Sequence, residues 1–119
     1  MTKVLIVDDH PDMRTLLAYT LGGEYEVLQA RDGVEALQIA RRESPAAILL
    51  DIMMPGKLDG MAVLTAIKTN EKTSHTPVAM VTARGQASDV LRFKNCGADA
   101  YFVKPFSPQE IVSWLHQHC

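Results

Sequence analysis

The sequence predicts one α/β domain in which helices cover both faces of a parallel β-sheet. Strand-like and helix-like segments alternate five times, and short loops join them. The first, third and fourth strands are continuous apolar runs, as expected for strands that are buried on both faces. Five such βα units indicate a doubly wound domain, which we expect to span residues 1–119. The predicted strands are 3–8, 25–30, 46–51, 77–82 and 99–103.

The residues predict the number of strands, and the order of the strands is a separate choice. The second strand, 25–30, mixes polar and apolar residues, which is typical of an edge strand. We adopt the flavodoxin-like order 2-1-3-4-5, a common order for doubly wound sheets, although the residues themselves do not select it. In this order the ligand crevice lies beyond the carboxyl ends of strands 1 and 3.

Several helix boundaries carry local signals. Residues 107–110, Ser-Pro-Gln-Glu, form a capping box with proline at the first helical position. Asp32 and Glu35 have the same acceptor-to-glutamate spacing at the start of the second helix. Gly22 is predicted to end the first helix and Gly97 the fourth. These signals support the alternation of strands and helices.

Composition excludes several classes of protein. The formal net charge is −2 and no basic run is present, which argues against direct binding to nucleic acid. No apolar stretch is long enough for a membrane span, and the N-terminal apolar run is too short for a signal peptide. A cytoplasmic location follows by default. Cys96 and Cys119 show no motif spacing, and we expect neither to form a disulfide.

Four of the predicted strands end at polar residues that suit one chemistry. The first ends at Asp8 and is followed by Asp9, the third ends at Asp51, the fourth at Thr82, and the fifth is followed by Lys104. Taken singly, the acids could cap helices, Thr82 could start a helix and Lys104 could be a surface lysine. Because parallel strands bring all five to one edge of the sheet, their joint placement favours a site.

The residue types at this edge indicate phosphoryl chemistry. Three close carboxylates repel one another unless a cation neutralises them, and oxygen ligands favour Mg²⁺ or Mn²⁺ over zinc. Asp51 is central and can act as a nucleophile that forms an acyl phosphate. Lys104 can pair with a phosphoryl oxygen, and the Thr82 hydroxyl can donate a hydrogen bond to another.

These residues resemble the receiver domain of two-component response regulators. The likeness rests on Asp8-Asp9, Asp-Ile-Met-Met-Pro at 51–55, Thr82-Ala83 and Lys-Pro-Phe at 104–106, and it covers the whole chain. It implies that Asp51 accepts a phosphoryl group from a histidine kinase or a phosphotransfer protein. It also implies a signalling protein whose only chemistry is self-phosphorylation and self-dephosphorylation, not an enzyme with an outside substrate.

The resemblance implies a specific metal site. Asp9, Asp51 and the main-chain carbonyl of Met53 would bind Mg²⁺ directly, and Asp8 would act through water. A cis peptide bond is implied between Lys104 and Pro105.

The resemblance also implies a switch. Thr82 would move toward the phosphoryl group and Tyr101 would turn inward behind it, which remodels the face made by helix 4, strand 5 and helix 5. That face would bind a downstream protein target or an output domain, and it leaves open a homodimer formed on phosphorylation. Met53 and Arg84 occupy positions that tune the phosphoryl lifetime in the family.

The sequence departs from the family pattern at one point. The family has Met-Pro, two residues and then Asp-Gly, whereas here residues 56–58, Gly-Lys-Leu, separate Met54-Pro55 from Asp59-Gly60. The loop is one residue longer and borders the metal site. An alternative is therefore a degenerate receiver that acts as a phosphorylation-independent interaction module.

Two enzyme or cofactor classes fit the residues poorly. An aspartate-nucleophile phosphatase of the haloacid dehalogenase type needs a second aspartate where this chain has Met53. A nucleotide- or flavin-binding module needs a phosphate loop rich in Gly, Ser or Thr, but residues 8–12 read Asp-Asp-His-Pro-Asp. The histidines are scattered, and none is predicted to bind metal or to donate phosphate: His10, His75, His116 and His118.

Overall fold

The computed structural model describes residues 2–51, 60–82, 87–104 and 106–119, with the main chain alone at 82 and 87–90. Five strands alternate with five helices, and the strands form one parallel sheet in the order β2-β1-β3-β4-β5. The predicted fold class and strand order are confirmed. The elements are β1 (Thr2–Val7), α1 (Pro11–Leu21), β2 (Tyr25–Ala30), α2 (Gly33–Glu43), β3 (Ala47–Asp51), α3 (Gly60–Thr69), β4 (Val78–Thr82), α4 (Ala87–Asn95), β5 (Ala100–Val103) and α5 (Pro108–His118).

The sheet separates two apolar layers, because successive side chains on a strand point to opposite faces. Leu5 and Val7 of β1 pack into a layer with residues of α2, α3 and α4. Val4 and Ile6 pack into the opposite layer with residues of α1 and α5. Double-sided burial explains why the central strands are continuous apolar runs. The edge strand β2 is buried mainly at its two ends, in agreement with its mixed sequence.

Local capping follows the sequence signals. The Asp32 carboxylate accepts a hydrogen bond of 2.9 Å from the Glu35 amide at the start of α2. The Ser107 hydroxyl oxygen accepts one of 3.3 Å from the Gln109 amide at the start of α5. Helix α1 ends before Gly22, and Gly97 follows α4 with a φ of +101°, a conformation that favours glycine. The end of α2 at Ser44, with a φ of +47°, had no sequence signal.

The strand register aligns the carboxyl ends of the central strands. Val7 at the end of β1 is paired with Ala30 of β2 and Leu50 of β3. The last residue of β3, Asp51, is paired with Val81 of β4. Residues that follow β1 therefore lie beside the end of β3. No helix in the described ranges combines the length and the apolar character needed to cross a membrane.

Candidate functional site

Three carboxylates meet at the carboxyl edge of the sheet, as the sequence predicts. Asp51 ends β3, and Asp8 directly follows β1; each residue is only 2% exposed. Asp9 is less deeply placed, with 28% of its side chain exposed. One ligand atom from each of these acids lies within 4.8 Å of the others. The parallel register thus brings together carboxylates that are more than 40 residues apart in the chain.

The ammonium group of Lys104 reaches this cluster from the end of β5. Its Nζ lies 3.3 Å from Asp8 Oδ2 and 3.8 Å from Asp51 Oδ2. Only 20% of the lysine side chain is exposed, so it is not a solvated surface lysine. Among the described residues, one ammonium faces these three carboxylates, which leaves an excess of negative charge around them. Phosphate would be repelled unless a cation offset that excess.

Two basic residues on the loop and helix after β1 also contact Asp8. The guanidinium Nη1 of Arg14 donates a hydrogen bond of 2.7 Å to the Asp8 carbonyl. His10 donates its backbone N–H to Asp8 Oδ1 at 2.9 Å. On the other side, the Asp8 backbone N–H donates to the Ala30 carbonyl at 3.1 Å. Asp8 is therefore held through both its backbone and its carboxylate.

The imidazole of His10 belongs to the cluster, which the sequence analysis missed. Its Nδ1 lies 3.1 Å from Asp8 Oδ1 and 3.1 Å from Asp9 Oδ1. His10 is the residue that precedes α1, and its side chain makes no capping hydrogen bond to that helix. A histidine placed directly after two strand-end acids, and just before the proline that starts a helix, was the available signal. From the sequence, no histidine was predicted to bind metal, and the His10 ring was not placed beside the acids, where the structure has it.

The donor set fits a hard divalent cation. The Oδ1 atom of Asp9 is buried and accepts no hydrogen bond from the described residues. A buried carboxylate oxygen that accepts no hydrogen bond is costly, and a bound cation would remove that cost. Oxygen atoms from Asp8, Asp9 and Asp51 suit Mg²⁺ or Mn²⁺.

Some of the predicted site residues fall outside the described part of the chain. Thr82 ends β4 and is paired with Val103, so its main chain lies at the same edge of the sheet, but its side chain is not described. The carbonyl of Met53 and the bond to Pro105 lie outside the described residues. The same holds for Arg84 and for the longer loop at 56–58.

The predicted switch residue Tyr101 lies in β5 and is partly buried. Its ring stacks on Phe93 of α4, with ring centroids 5.6 Å apart and an interplanar angle of 26°. A cavity of about 220 Å³ lies beside this pair, between α4 and β5. Tyr101 therefore links the strand that leads to Lys104 with the helix that faces it. The cavity is lined by Phe93, Lys94, Ala98, Asp99, Ala100 and Tyr101.

Comparison with known proteins identifies the family. The family model for the response regulator receiver domain matches residues 4–116. The probable transcriptional regulator ycf27 of Porphyra purpurea is 45% identical over 111 residues, which cover 92% of this chain and 44% of that protein. The DNA-binding dual master transcriptional regulator RpaA of Synechocystis is 38% identical over 114 residues, covering 95% of this chain and 47% of that protein.

The same likeness appears in three dimensions. The chemotaxis protein CheY4 of Vibrio cholerae superimposes with a TM-score of 0.92 at 32% sequence identity, covering 100% of this chain and 99% of that one. The chain spans about half the length of the curated relatives that it matches. With a matching family model, a matching fold and an acidic cluster at the expected edge of the sheet, the chain belongs to the receiver domain family of two-component response regulators.

Proposed function

We propose that this chain is the phosphoacceptor module of a two-component phosphorelay and that Asp51 accepts the phosphoryl group. The observation that carries the proposal is the position of this carboxylate. It is 2% exposed, lies at the carboxyl edge of the sheet, and is flanked by Asp8, Asp9 and the Lys104 ammonium. A nucleophilic carboxylate surrounded by groups that manage charge is suited to phosphoryl transfer, which depends mainly on positioning and charge neutralisation.

The transfer modifies this chain itself, so the chain does not turn over an outside substrate. A carboxylate oxygen of Asp51 forms a bond to phosphorus while the bond between phosphorus and the donor nitrogen of a phosphohistidine breaks. The donor imidazole leaves with that electron pair and takes up a proton. The product is an acyl phosphate, and slow attack of water on it would return free phosphate and the carboxylate.

The other residues at the edge of the sheet would manage charge. Mg²⁺, or Mn²⁺, held by Asp9, Asp51 and the Met53 carbonyl, with Asp8 acting through water, would supply positive charge next to the incoming phosphoryl group. Lys104 already contacts Asp8 and lies 3.8 Å from Asp51, so a small movement would pair its ammonium with a phosphoryl oxygen.

The phosphorylated state would be signalled through β5. The Thr82 hydroxyl would donate to the phosphoryl group, and Tyr101 would turn inward beside Phe93, which it already contacts. Because Tyr101 contacts α4, this change would alter the face formed by α4, β5 and α5. The phosphoryl donor would be a histidine kinase or a phosphotransfer protein, in the cytoplasm.

The matched relatives suggest the output. Those proteins are named as transcriptional regulators and are about twice as long as this chain. We therefore propose that the altered face binds an output domain or a protein that controls transcription, while this chain makes no direct contact with nucleic acid. A homodimer through that face on phosphorylation is part of the same proposal.

The test is the intact mass of the chain after incubation with acetyl phosphate, with Mg²⁺ or with EDTA. We expect a gain of one phosphoryl group in the natural chain with Mg²⁺ and no gain in Asp51→Asn. Asp99→Asn is the matched control, because it removes a carboxylate from the opposite edge of the sheet and should be phosphorylated normally. Phosphorylation of Asp51→Asn would contradict the assignment of the acceptor. No gain in any sample would favour the phosphorylation-independent interaction module.

A further inference from the structure

His10 adds a nitrogen donor to a site that otherwise offers oxygen. We propose that the imidazole of His10 is an additional ligand of the cation site and that it shifts the preference of the site from Mg²⁺ toward divalent ions that bind nitrogen, such as Ni²⁺. This inference rests on the cation site in the proposed function. It concerns which ion the site accepts rather than whether the site exists.

The separations between the donor atoms support this role. Nδ1 of His10 lies 3.1 Å from Asp8 Oδ1 and 3.1 Å from Asp9 Oδ1. Neighbouring ligands about 2.1 Å from an octahedral ion lie about 3 Å from one another. The imidazole nitrogen and Asp9 Oδ1 are therefore already separated by the distance expected for adjacent ligands of one ion, with Asp8 beside them in its water-mediated place.

The orientation of the ring points to the same role. The His10 side chain is 66% exposed, and it precedes α1 without capping that helix. A ring this exposed has many rotamers open to it, yet its Nδ1 faces two carboxylates. Burial does not force that position, and helix capping does not explain it. A hydrogen bond of 3.1 Å between Nδ1 and Asp8 Oδ1 holds the ring there, and a cation bound at Nδ1 would take the place of the proton in that contact.

His10 and Lys104 approach different oxygens of the same carboxylate. The imidazole faces Oδ1 of Asp8, whereas the Lys104 ammonium faces Oδ2. Ligation by His10 would therefore leave the side of the cluster that holds Lys104 unobstructed. A metal ion bound through the imidazole is compatible with a phosphoryl group that pairs with the lysine.

The chemistry of the ligands predicts selectivity. Imidazole suits nickel, copper, iron and zinc, whereas carboxylate, carbonyl and water suit magnesium and manganese. Loss of the imidazole should weaken binding of Ni²⁺ strongly and binding of Mg²⁺ little. His10 would thereby let the occupancy of the receiver respond to transition metals as well as to magnesium.

The test is isothermal titration of the natural chain and of His10→Ala with Ni²⁺ and, separately, with Mg²⁺. We expect His10→Ala to raise the Kd for Ni²⁺ at least about tenfold, the lower end of the loss seen when ligand support is removed. The Kd for Mg²⁺ should change less than about twofold. His75→Ala removes an exposed histidine from the turn after α3 and should leave both values unchanged. His118→Ala controls for nickel binding near Cys119.

A second measurement locates the ion. The natural chain, labelled with ¹⁵N, should lose its His10 ring resonances at low Ni²⁺ concentrations by paramagnetic broadening, before those of His75. His10→Asn provides a polar replacement if His10→Ala unfolds. An unchanged Kd for Ni²⁺ in the folded His10 variant, or an equal loss for both ions, would overturn the inference. So would a loss of nickel binding in His118→Ala alone.

A separate variant distinguishes this inference from the proposed function. Asp51→Asn should weaken the binding of both ions if the cation site lies where we propose. If Asp51→Asn weakens Mg²⁺ binding but His10→Ala spares Ni²⁺ binding, only the role of His10 fails. If Asp51→Asn leaves Mg²⁺ binding intact, the cation site of the proposed function fails as well.

Discussion

At the amino ends of the strands a carboxylate is paired with an ammonium and a backbone amide, whereas at the carboxyl ends the described residues gather three carboxylates around one ammonium. At the amino edge, Asp99 Oδ2 accepts hydrogen bonds from the Val78 amide at 2.8 Å and from Lys68 Nζ at 3.0 Å. Lys68 Nζ also donates to the Thr76 carbonyl at 2.8 Å. This group of contacts, which we call the amino-edge lock, ties α3 to the starts of β4 and β5.

The carboxyl edge shows the opposite balance. Asp8 and Asp51 are buried together beside Lys104, and Asp9 keeps a buried oxygen that accepts no hydrogen bond from the described residues. Paired charges at one edge would stabilise the fold by themselves, whereas crowded charges at the other would need a cation to neutralise them. The sheet thus has one edge where the charges are paired and one where they are crowded, and the proposed function uses the crowded edge. Four predictions test that separation.

Magnesium should stabilise the domain through the carboxyl edge. At a Mg²⁺ concentration 100 times its Kd, the free energy of unfolding should rise by about 2.7 kcal/mol, because only the folded state presents the site. Asp9→Asn should gain much less, since it loses one of the three carboxylates. Urea unfolding with Mg²⁺ and with EDTA measures both values. An equal gain in the two proteins would place the stabilising ion elsewhere.

Breaking the amino-edge lock should destabilise the domain with or without Mg²⁺. Asp99→Ala leaves the buried Val78 amide and the Lys68 ammonium without their acceptor, which should cost about 2 kcal/mol. Asp99→Asn retains an acceptor oxygen and should lose less. Urea unfolding in EDTA is the measurement. A loss that depended on Mg²⁺ would contradict the separation of the two edges.

Gly97 should be required for close packing beside the lock. Its φ of +101° is strained for any residue with a Cβ, and a Cβ placed there would lie 3.0 Å from Cγ of Lys68. Gly97→Ala should lower the free energy of unfolding by about 1 to 2 kcal/mol. Gly23→Ala is the matched control, because a Cβ there would meet no atom within 4 Å. Equal losses in the two variants would argue against this explanation.

The smallest effect is expected at the ion pair between Lys3 and Glu43, which also lies near the amino edge. A hydrogen bond of 2.9 Å from Lys3 lowers the pKa of the Glu43 carboxyl below its ordinary value of 4.5, and the same contact raises the pKa of Lys3 above 10.5. The pair should therefore add slight stability between those pH values. That stability should be lost as the pH falls through the lowered pKa or rises through the raised one.

Glu43→Gln tests this pH dependence. The difference in melting temperature between Glu43→Gln and the natural chain should be small near pH 7, because exposed ion pairs contribute little. It should shrink further as the pH falls below 4.5, where the natural carboxyl takes up a proton. A difference that grew under acid conditions would have the wrong sign for a carboxyl with a lowered pKa.

Much of the fold was predictable because its signals are local. Apolar runs marked the buried strands, and Asp32 and Ser107 marked helix starts through contacts within three residues of themselves. The meeting of Asp8, Asp9 and Asp51 was also predictable, because polar residues at the ends of parallel strands share one edge. The position of Lys104 next to Asp8 followed from the same rule.

Other features depended on contacts that no local pattern encodes. The amino-edge lock joins Lys68 to Asp99 across 31 positions, and neither residue carried a signal for that pairing. The place of His10 depended on how the chain turns from β1 into α1, which sets the direction of its ring. Arg14 reached the Asp8 carbonyl for the same reason.

The amino-acid sequence alone determined the fold class, the strand positions and the acids at the carboxyl edge of the sheet. These features follow from the periodicity of apolar residues and from where each strand ends, which are local properties of the chain. The tertiary structure decided which charges are paired and which are left crowded. It alone showed that Lys68 pairs with Asp99, while His10 turns toward Asp8 and Asp9. Those pairings depend on the register between strands and on the turn of one loop, so they exist only once the chain has folded.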